Sequence, residues 1–493
     1  MYTAKHKVYW FAIASRSLIL LLQMVFNLLC PDHNADAFRT PIDSTEKQYF
    51  FDRLVKFFFE GLTRWDAQYF IHIAKYGYTY ENTLAFFPLY PWLVRFVAGL
   101  APPTLNQSST IILAGIVINF VCFVKLALIL YDLTDNVFQN TKVAYRSAIL
   151  FCINPASVFF SALYTETLFA FLTFYCMLES VNNNPCVFLP LSLSTLVRSN
   201  GLVNTGFPAY TWLRSLLVTS IPNYVTEYRL YHSNKRSVLF DFRHIFLSIF
   251  QIFTTIFVSL LPFLGLQIHY YALYCKTEAN ATFPYHVQKY ALDNDLLMPG
   301  RHEFAWCNNK MPIAYSYVQS KYWNVGFLKY YEFKQIPNFC LALPALYLML
   351  RCILGFFIEH KSKFFTLEFY TGIAKKRKSN ERYPLAMFVF VVHAAFLTLF
   401  CILFVHIQVS TRLLCSATPL LYWYCALLTL EKDEASKGIK EPEFESTENM
   451  FSKWKVFFIT QQSYTKSEKF VYRYFLGYTV LGCLMFANFY PWT

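Results

Sequence analysis

The chain has 493 residues, of which 56% are hydrophobic, 20% aromatic and only 15% charged, against roughly 25% charged in soluble domains. Length alone suggests about three domains of roughly 150 residues, but no polar linker separates such units, so one continuous membrane domain over 1–493 is expected. The net charge of +13 does not point to nucleic acid. The basic residues gather between apolar runs, at Arg214, Arg229, Lys235, Arg236 and Arg243 and again at Lys361, Lys363, Lys375 to Lys378 and Arg382. Such loops mark the cytosolic side of a membrane and meet its anionic headgroups.

Residues 8–30 are apolar and follow Lys5 and Lys7. The run exceeds the roughly 7–15 residues of a signal-peptide core, and Asn27-Leu28-Leu29-Cys30-Pro31 lacks a small-x-small cleavage pattern. It reads as an uncleaved first span with a cytosolic N-terminus. A long polar segment, 31–85, and a Pro-broken amphipathic stretch, 86–103, follow. Further apolar runs fall near 110–131, 143–162, 164–181, 186–206, 208–222, 244–268, 337–358, 384–406, 411–430 and 471–491. With the first they make about eleven spans near the roughly 17–25 residues that cross a bilayer. The expected class is an all-α, multi-span integral membrane protein.

Alternation places 31–109 and 269–336 in the lumen, and the two basic loops with the mixed-charge 431–469 in the cytosol. Asn280-Ala281-Thr282 in the second lumenal loop is the expected glycosylation site, and Asn106-Gln107-Ser108 is a second sequon. Most of the 13 cysteines lie inside apolar runs, where they behave as small hydrophobes. Cys275 and Cys307 fall in the second lumenal loop, where a bridge and two free thiols are both open. No CxxC or Cys/His spacing supports zinc.

Chemistry is expected around Arg64-Trp65-Asp66-Ala67-Gln68-Tyr69-Phe70, with Ala85-Phe86-Phe87-Pro88-Leu89-Tyr90-Pro91 beyond it. Sugars are bound by stacking on Trp or Tyr while polar side chains grip their hydroxyls. Trp65, Tyr69, Tyr76, Tyr78 and Tyr80 suit the first task; Gln68, His72, Glu81 and Asn82 suit the second. An interfacial aromatic belt explains scattered rings, but it does not require an Asp among them. Eight carboxylates lie in 31–85, and Asp66 is the one set against an apolar rim that suits a general base.

Charge inside or beside a span is costly and usually functional. Glu166 lies at a short lumenal turn, where capping the next helix is the competing role. Arg198, in Val197-Arg198-Ser199-Asn200-Gly201, interrupts an apolar run, and Arg412 follows His406, Gln408 and Thr411 at a lumenal hinge. Both arginines are candidates for holding a phosphate, with a structural ion pair as the alternative for each. Asp293-Asn294-Asp295 matches, weakly, the acidic motif that holds a metal and nucleotide-sugar in soluble glycosyltransferases.

Five stretches resemble the GPI mannosyltransferase 2 family: Trp65-Asp66-Ala67 through Pro88, Pro155-Ala156-Ser157-Val158-Phe159 through Glu166, Arg198 through Val203, Tyr317 through Phe339, and His406 through Arg412 with Tyr422-Trp423 beyond. The fourth contains Lys321-Tyr322-Trp323-Asn324-Val325-Gly326-Phe327, a long and specific word. The resemblance covers most of the chain. It implies an endoplasmic reticulum membrane enzyme of the class C glycosyltransferase fold with a lumenal active site. The donor implied is dolichyl phosphate mannose, the acceptor a mannosyl-glucosaminyl phosphatidylinositol, and the product an α-1,6 linkage formed with inversion. In that chemistry Asp66 is the expected base and no metal cofactor is required. Arg412, Arg198 and Lys321 are expected to meet the donor phosphate, in that order. Trp65, Gln68, Glu166, Asn200, Tyr322, Trp323 and Gln408 are expected to contact substrate. A small membrane partner subunit is compatible with the same reading. The alternatives are a dolichyl-phosphate-sugar enzyme with another acceptor, and a membrane transporter.

Overall fold

The computed structural model describes residues 3–102, 104–222, 243–276, 283–365, 381–430 and 465–492. Asn280, the basic residues Arg229, Lys235, Arg236 and Lys375 to Lys378, and the stretch 431–464 of the mixed-charge loop lie outside the described residues. Among those described there are helices and no strand.

In chain order, α1 (Ala4–Leu29) leads into a polar stretch holding α2 (Phe50–Phe59), α3 (Ala67–Tyr76) and α4 (Leu89–Ala98). Then come α5 (Gln107–Phe138), α6 (Thr141–Cys152), α7 (Glu166–Val181), α8 (Phe188–Val197), α9 (Gly206–Ser215) and α10 (Arg243–Cys275). A second polar stretch holds α11 (Tyr285–Asp293) and α12 (Ala314–Trp323). The chain closes with α13 (Ile336–Glu359), α14 (Phe388–Leu403), α15 (Ser410–Ala417), α16 (Leu420–Thr429) and α17 (Lys466–Ala487). Starts follow capping chemistry: Asn106 accepts the Ser109 N–H, Asn140 the Lys142 N–H, and Thr465 forms a reciprocal box with Glu468. In the Asn106 sequon the side-chain oxygen is therefore engaged as a cap.

Six described helical stretches, namely α1, α5, Ile245–Cys275 of α10, Phe333–Glu359 ending in α13, Leu385–Leu403 ending in α14, and α17, have 19 to 32 residues and are apolar enough to cross a membrane, against about eleven expected. The other five apolar runs become shorter pieces. The run 143–162 is α6 followed by irregular chain, because Asn154-Pro155 cannot continue the helix. The run 186–206 breaks where α8 ends and Arg198 turns extended. The run 411–430 splits into α15 and α16 at Thr418-Pro419. Most residues of α6, α7, α15 and α16 are buried inside the bundle. Hydropathy reports burial there as readily as contact with lipid.

Non-helical backbone at this depth is tolerated only where protein satisfies its polar groups. Residues 153–165 meet that condition through Arg16 and Asn119. Arg16, 1% exposed, donates to the Ser157 carbonyl at 2.9 Å, the Cys152 carbonyl at 2.9 Å and Ser161 Oγ at 3.0 Å, with its guanidinium 3.8 Å above the Phe123 ring. Asn119 Nδ2 donates to the Ala162 and Tyr164 carbonyls. The segment ends at Tyr164, which reaches the site described below.

Both ends of the bundle are fixed by contacts. Asn488, just past α17, donates to the Phe26 carbonyl and accepts the His33 N–H, so α17 runs parallel to α1. Lys5, at the start of α1, pairs with Asp132 near the end of α5. The two polar stretches therefore cap the end where α1 and α17 finish. There they interlock through Tyr80 to the Val287 carbonyl and Glu81 N–H to the Leu297 carbonyl, and a Cys275–Cys307 disulfide ties the end of α10 to the second stretch.

Replacing Arg16 by Leu removes charged hydrogen bonds to the Ser157 and Cys152 carbonyls, each worth about 1.5–3 kcal/mol, and leaves those oxygens only the Phe160 N–H and the Ser15 hydroxyl. The expected result is a lower melting temperature in detergent and a reduced steady-state level, and an unchanged melting curve would contradict this account of 153–165.

Candidate active site

Asp66 sits at the N-terminus of α3, where the chain is turned by Trp65 in the left-handed region (φ 56°). A bulky aromatic residue there is strained by about 1–3 kcal/mol, a cost that persists only when the surroundings impose it. They do so on both sides. Arg64 donates to the Ala487 carbonyl and pairs with Asp32, while the Trp65 ring packs edge-on against Phe489. The Asp66 N–H donates to the Tyr164 hydroxyl at 3.0 Å. Gly77, at φ 77°, then closes α3.

The Asp66 carboxylate meets a guanidinium. Both terminal nitrogens of Arg412 lie 3.0 Å from Asp66 Oδ2. Arg412 Nε is 3.8 Å from Glu166 Oε1, and Arg198 Nη1 donates to that same oxygen at 2.6 Å. Asp66, Arg412, Glu166 and Arg198 thus form one row of alternating charge with no net charge. Phe159 and Tyr164 lie under the Arg412 guanidinium at 5.2 and 5.6 Å. Glu166 is 1% exposed, and its second oxygen, the Trp65 indole N–H and the Asn200 amide nitrogen are buried without a hydrogen-bond partner. Buried polar atoms usually find partners, so these unpartnered ones leave hydrogen-bonding capacity for a ligand.

The loop carrying Arg198 is shaped by Gly201. A Cβ there would lie 2.5 Å from the Ser194 carbonyl, so only glycine allows Ser199-Asn200 to fold back on α8. Ser199 in turn hydrogen-bonds Tyr315 of the second polar stretch at 2.8 Å.

Beside the row of charge stands a wall of rings. Tyr69 is sandwiched between Phe38 and Phe86, with centroids 4.3 Å from each, and Trp323 meets the edges of Tyr69 and Phe86 at 5.9 and 5.7 Å. Trp323 thereby joins the Asp66 neighbourhood.

Other expected contacts are engaged internally. Gln68 donates to the Thr63 carbonyl and accepts from Thr40 N–H, tying down the chain before α2. His72 is fully buried, bonded to Thr79 at 2.6 Å and stacked on Tyr80, and burial pushes its pKa down to about 3, so it stays neutral. Lys321 and Tyr322 both reach Glu81 Oε2, at 2.6 and 2.7 Å, and Trp306 donates to Oε1 at 3.2 Å. Glu81 is 0% exposed, so it acts as a hub that locks the two polar stretches together rather than as a grip on hydroxyls. Gln408 accepts from Tyr330, which stacks on His406. Asp293-Asn294-Asp295 ends α11, with Asn294 bonded to the Tyr290 carbonyl.

Three participants escaped the sequence reading. Tyr164 and Phe159 sit in words singled out for Glu166, and nothing in their pattern marks them as neighbours of Asp66. Arg16 stood in plain view as a charge within the first apolar run.

Known proteins place the chain. The family described as Mannosyltransferase (PIG-V) matches residues 5–493. GPI mannosyltransferase 2 of Drosophila melanogaster is 34% identical, and that of Drosophila pseudoobscura pseudoobscura 37%, each over 99% of both chains. GPI alpha-1,6-mannosyltransferase 2 of Homo sapiens is 33% identical, also over 99% of both. No solved structure matches the chain. With its family matched over nearly the full length, this multi-pass membrane protein is a glycosyltransferase and belongs to the PIG-V mannosyltransferase family.

Proposed function

We propose that the protein transfers mannose from dolichyl phosphate mannose to the first mannose of the GPI precursor, forming an α-1,6 linkage with inversion, on a class C glycosyltransferase fold. The observation that carries this reading is the Asp66–Arg412 pair, which sets a base and a phosphate-compatible cation side by side. The full-length relatives named for the GPI reaction support the acceptor.

In this reading Asp66 removes the proton of the acceptor's 6-hydroxyl as that oxygen attacks the anomeric carbon. The bond from that carbon to the dolichyl phosphate oxygen breaks on the opposite face, which turns a β donor into an α product. Developing charge on the phosphate is met by Arg412, whose planar fork suits phosphate oxygens. Arg412 is favoured over Arg198 and Lys321 because it lies against the proposed base, whereas Arg198 reaches Glu166 and Lys321 reaches Glu81. The Arg412 guanidinium supplies a cation beside the base, so the step is written without a metal. Trp323 and Tyr69 form the face on which a sugar ring stacks. The Cys275–Cys307 disulfide suits an oxidising compartment on the Asp66 side, as the endoplasmic reticulum lumen is.

The reaction is tested in cells lacking the second GPI mannosyltransferase, by scoring a GPI-anchored surface reporter and identifying the accumulated precursor. Wild type is expected to restore display, and Asp66→Asn to leave the single-mannose precursor, its transfer slowed about 10²–10⁴-fold as loss of a general base implies. Failure of well-expressed wild type would point to another acceptor or a missing partner subunit, and rescue by Asp66→Asn would remove Asp66 as the base.

Glu81→Gln leaves Lys321, whose side chain is 35% exposed, without its carboxylate, and the lost charged hydrogen bonds cost about 1.5–3 kcal/mol. A lower melting temperature with loss of transfer is expected. Melting unchanged from wild type would contradict the role of Glu81 as the lock between the two polar stretches.

A further inference from the structure

Far from Asp66, a groove opens between α13 and α17. It has a volume of about 530 Å³. Lys466, Lys469 and Arg473 line it at one end, on the first turns of α17. Tyr474 and Tyr478 form its floor, with Tyr478 donating to the Leu341 carbonyl of α13 at 3.0 Å, and Pro344 faces it from α13. Pro344 lies inside that helix and has no N–H to donate to the helical ladder.

The position of the groove follows from α17. That helix ends beside Arg64, whose side chain donates to the Ala487 carbonyl, so its last turn belongs to the catalytic end. Its 22 residues rise about 33 Å. Lys466 and Lys469 therefore lie at the opposite membrane face, and the floor runs from them toward the middle of the bilayer.

Among the described residues, no ion pair engages Lys466, Lys469 or Arg473. The carboxylate nearest in sequence, Glu468, turns back to accept the Thr465 N–H at 2.8 Å as part of the helix cap. Phe470, 43% exposed, stands among the three cations. Three cations at a membrane face above an aromatic floor that descends into the hydrocarbon complement a molecule with an anionic head and an apolar tail.

We propose that this groove binds an anionic phospholipid of the leaflet opposite the catalytic site, its phosphate on Lys466, Lys469 and Arg473 and an acyl chain along Tyr474 and Tyr478. The site is separate from the donor and acceptor, which the Asp66 end would take.

The test uses the full-length protein in detergent with Phe470→Cys, following maleimide labelling at that peptide by mass spectrometry. Short-chain phosphatidylserine is expected to protect the thiol, whereas short-chain phosphatidylcholine and inorganic phosphate are not. Each cation near a membrane surface contributes about fivefold to anionic-lipid affinity, so Lys466→Gln, Lys469→Gln and Arg473→Gln together should weaken protection roughly a hundredfold. Lys466→Arg with Lys469→Arg should keep it, which separates lost charge from lost fold. Equal protection by phosphatidylcholine, or by phosphate alone, would overturn the assignment. So would an unprotected thiol crosslinked to residues 431–464, because the chain itself would then fill the groove.

Discussion

The structure turns on a carboxylate held beside a guanidinium in a partly buried place. Arg412 grips Asp66 with two nitrogens and leans its third on Glu166, which Arg198 also holds. Neither charge would be tolerable alone in such surroundings, and an alternating row of four offsets the desolvation of each member. In the proposed reaction the row offers a carboxylate to the acceptor hydroxyl and a guanidinium to the leaving phosphate. Bringing them together takes four distant parts of the chain. Asp66 starts α3, Glu166 starts α7, Arg198 ends α8, and Arg412 lies in the first turn of α15. Three of these positions are helix ends next to irregular backbone, which explains why the apolar runs are broken where they are. An unbroken span would carry each of these side chains past the site.

Irregular backbone inside an apolar bundle must be satisfied by protein, and here one arginine and one asparagine do much of it. Arg16 and Asn119 hold residues 153–165, which carry Phe159 and Tyr164 under Arg412 and hand the Tyr164 hydroxyl to the Asp66 N–H. On the polar side, buried Glu81 gathers Lys321, Tyr322 and Trp306. That hub sets α12 so that Trp323 reaches the Tyr69–Phe86 stack. The strained turn at Trp65 is held by Arg64, Phe489 and Tyr164 rather than by its own preference.

Much of this was legible in the sequence. The long helices at 110–131, 337–358 and 471–491 follow from hydropathy. Arg198 and Arg412 stood out as charges within apolar runs, and each proves to be paired with a carboxylate. The failures share a physical cause. Hydropathy does not separate a helix facing lipid from one enclosed by protein, so α6, α7 and the α15–α16 pair read as full spans. Side-chain roles in the polar stretches depended on partners 7 to 240 positions away that hydropathy does not pair. Gln68, His72 and Glu81 have the composition of a sugar site, yet Thr40, Thr79 and Lys321 claim them. No local pattern announces such a claim. Trp323, by contrast, was expected at substrate from the family word alone, and packing brings it to the Asp66 neighbourhood.

The most direct test of the central pair is a double-mutant cycle on mannosyl transfer by the purified enzyme, with Asp66→Asn, Arg412→Gln and both together. Residues that act as one device lose activity non-additively. The double variant is therefore expected to transfer no more slowly than Asp66→Asn alone. Losses that multiply across the two sites would contradict a coupled base and cation, and would assign Asp66 and Arg412 to independent tasks.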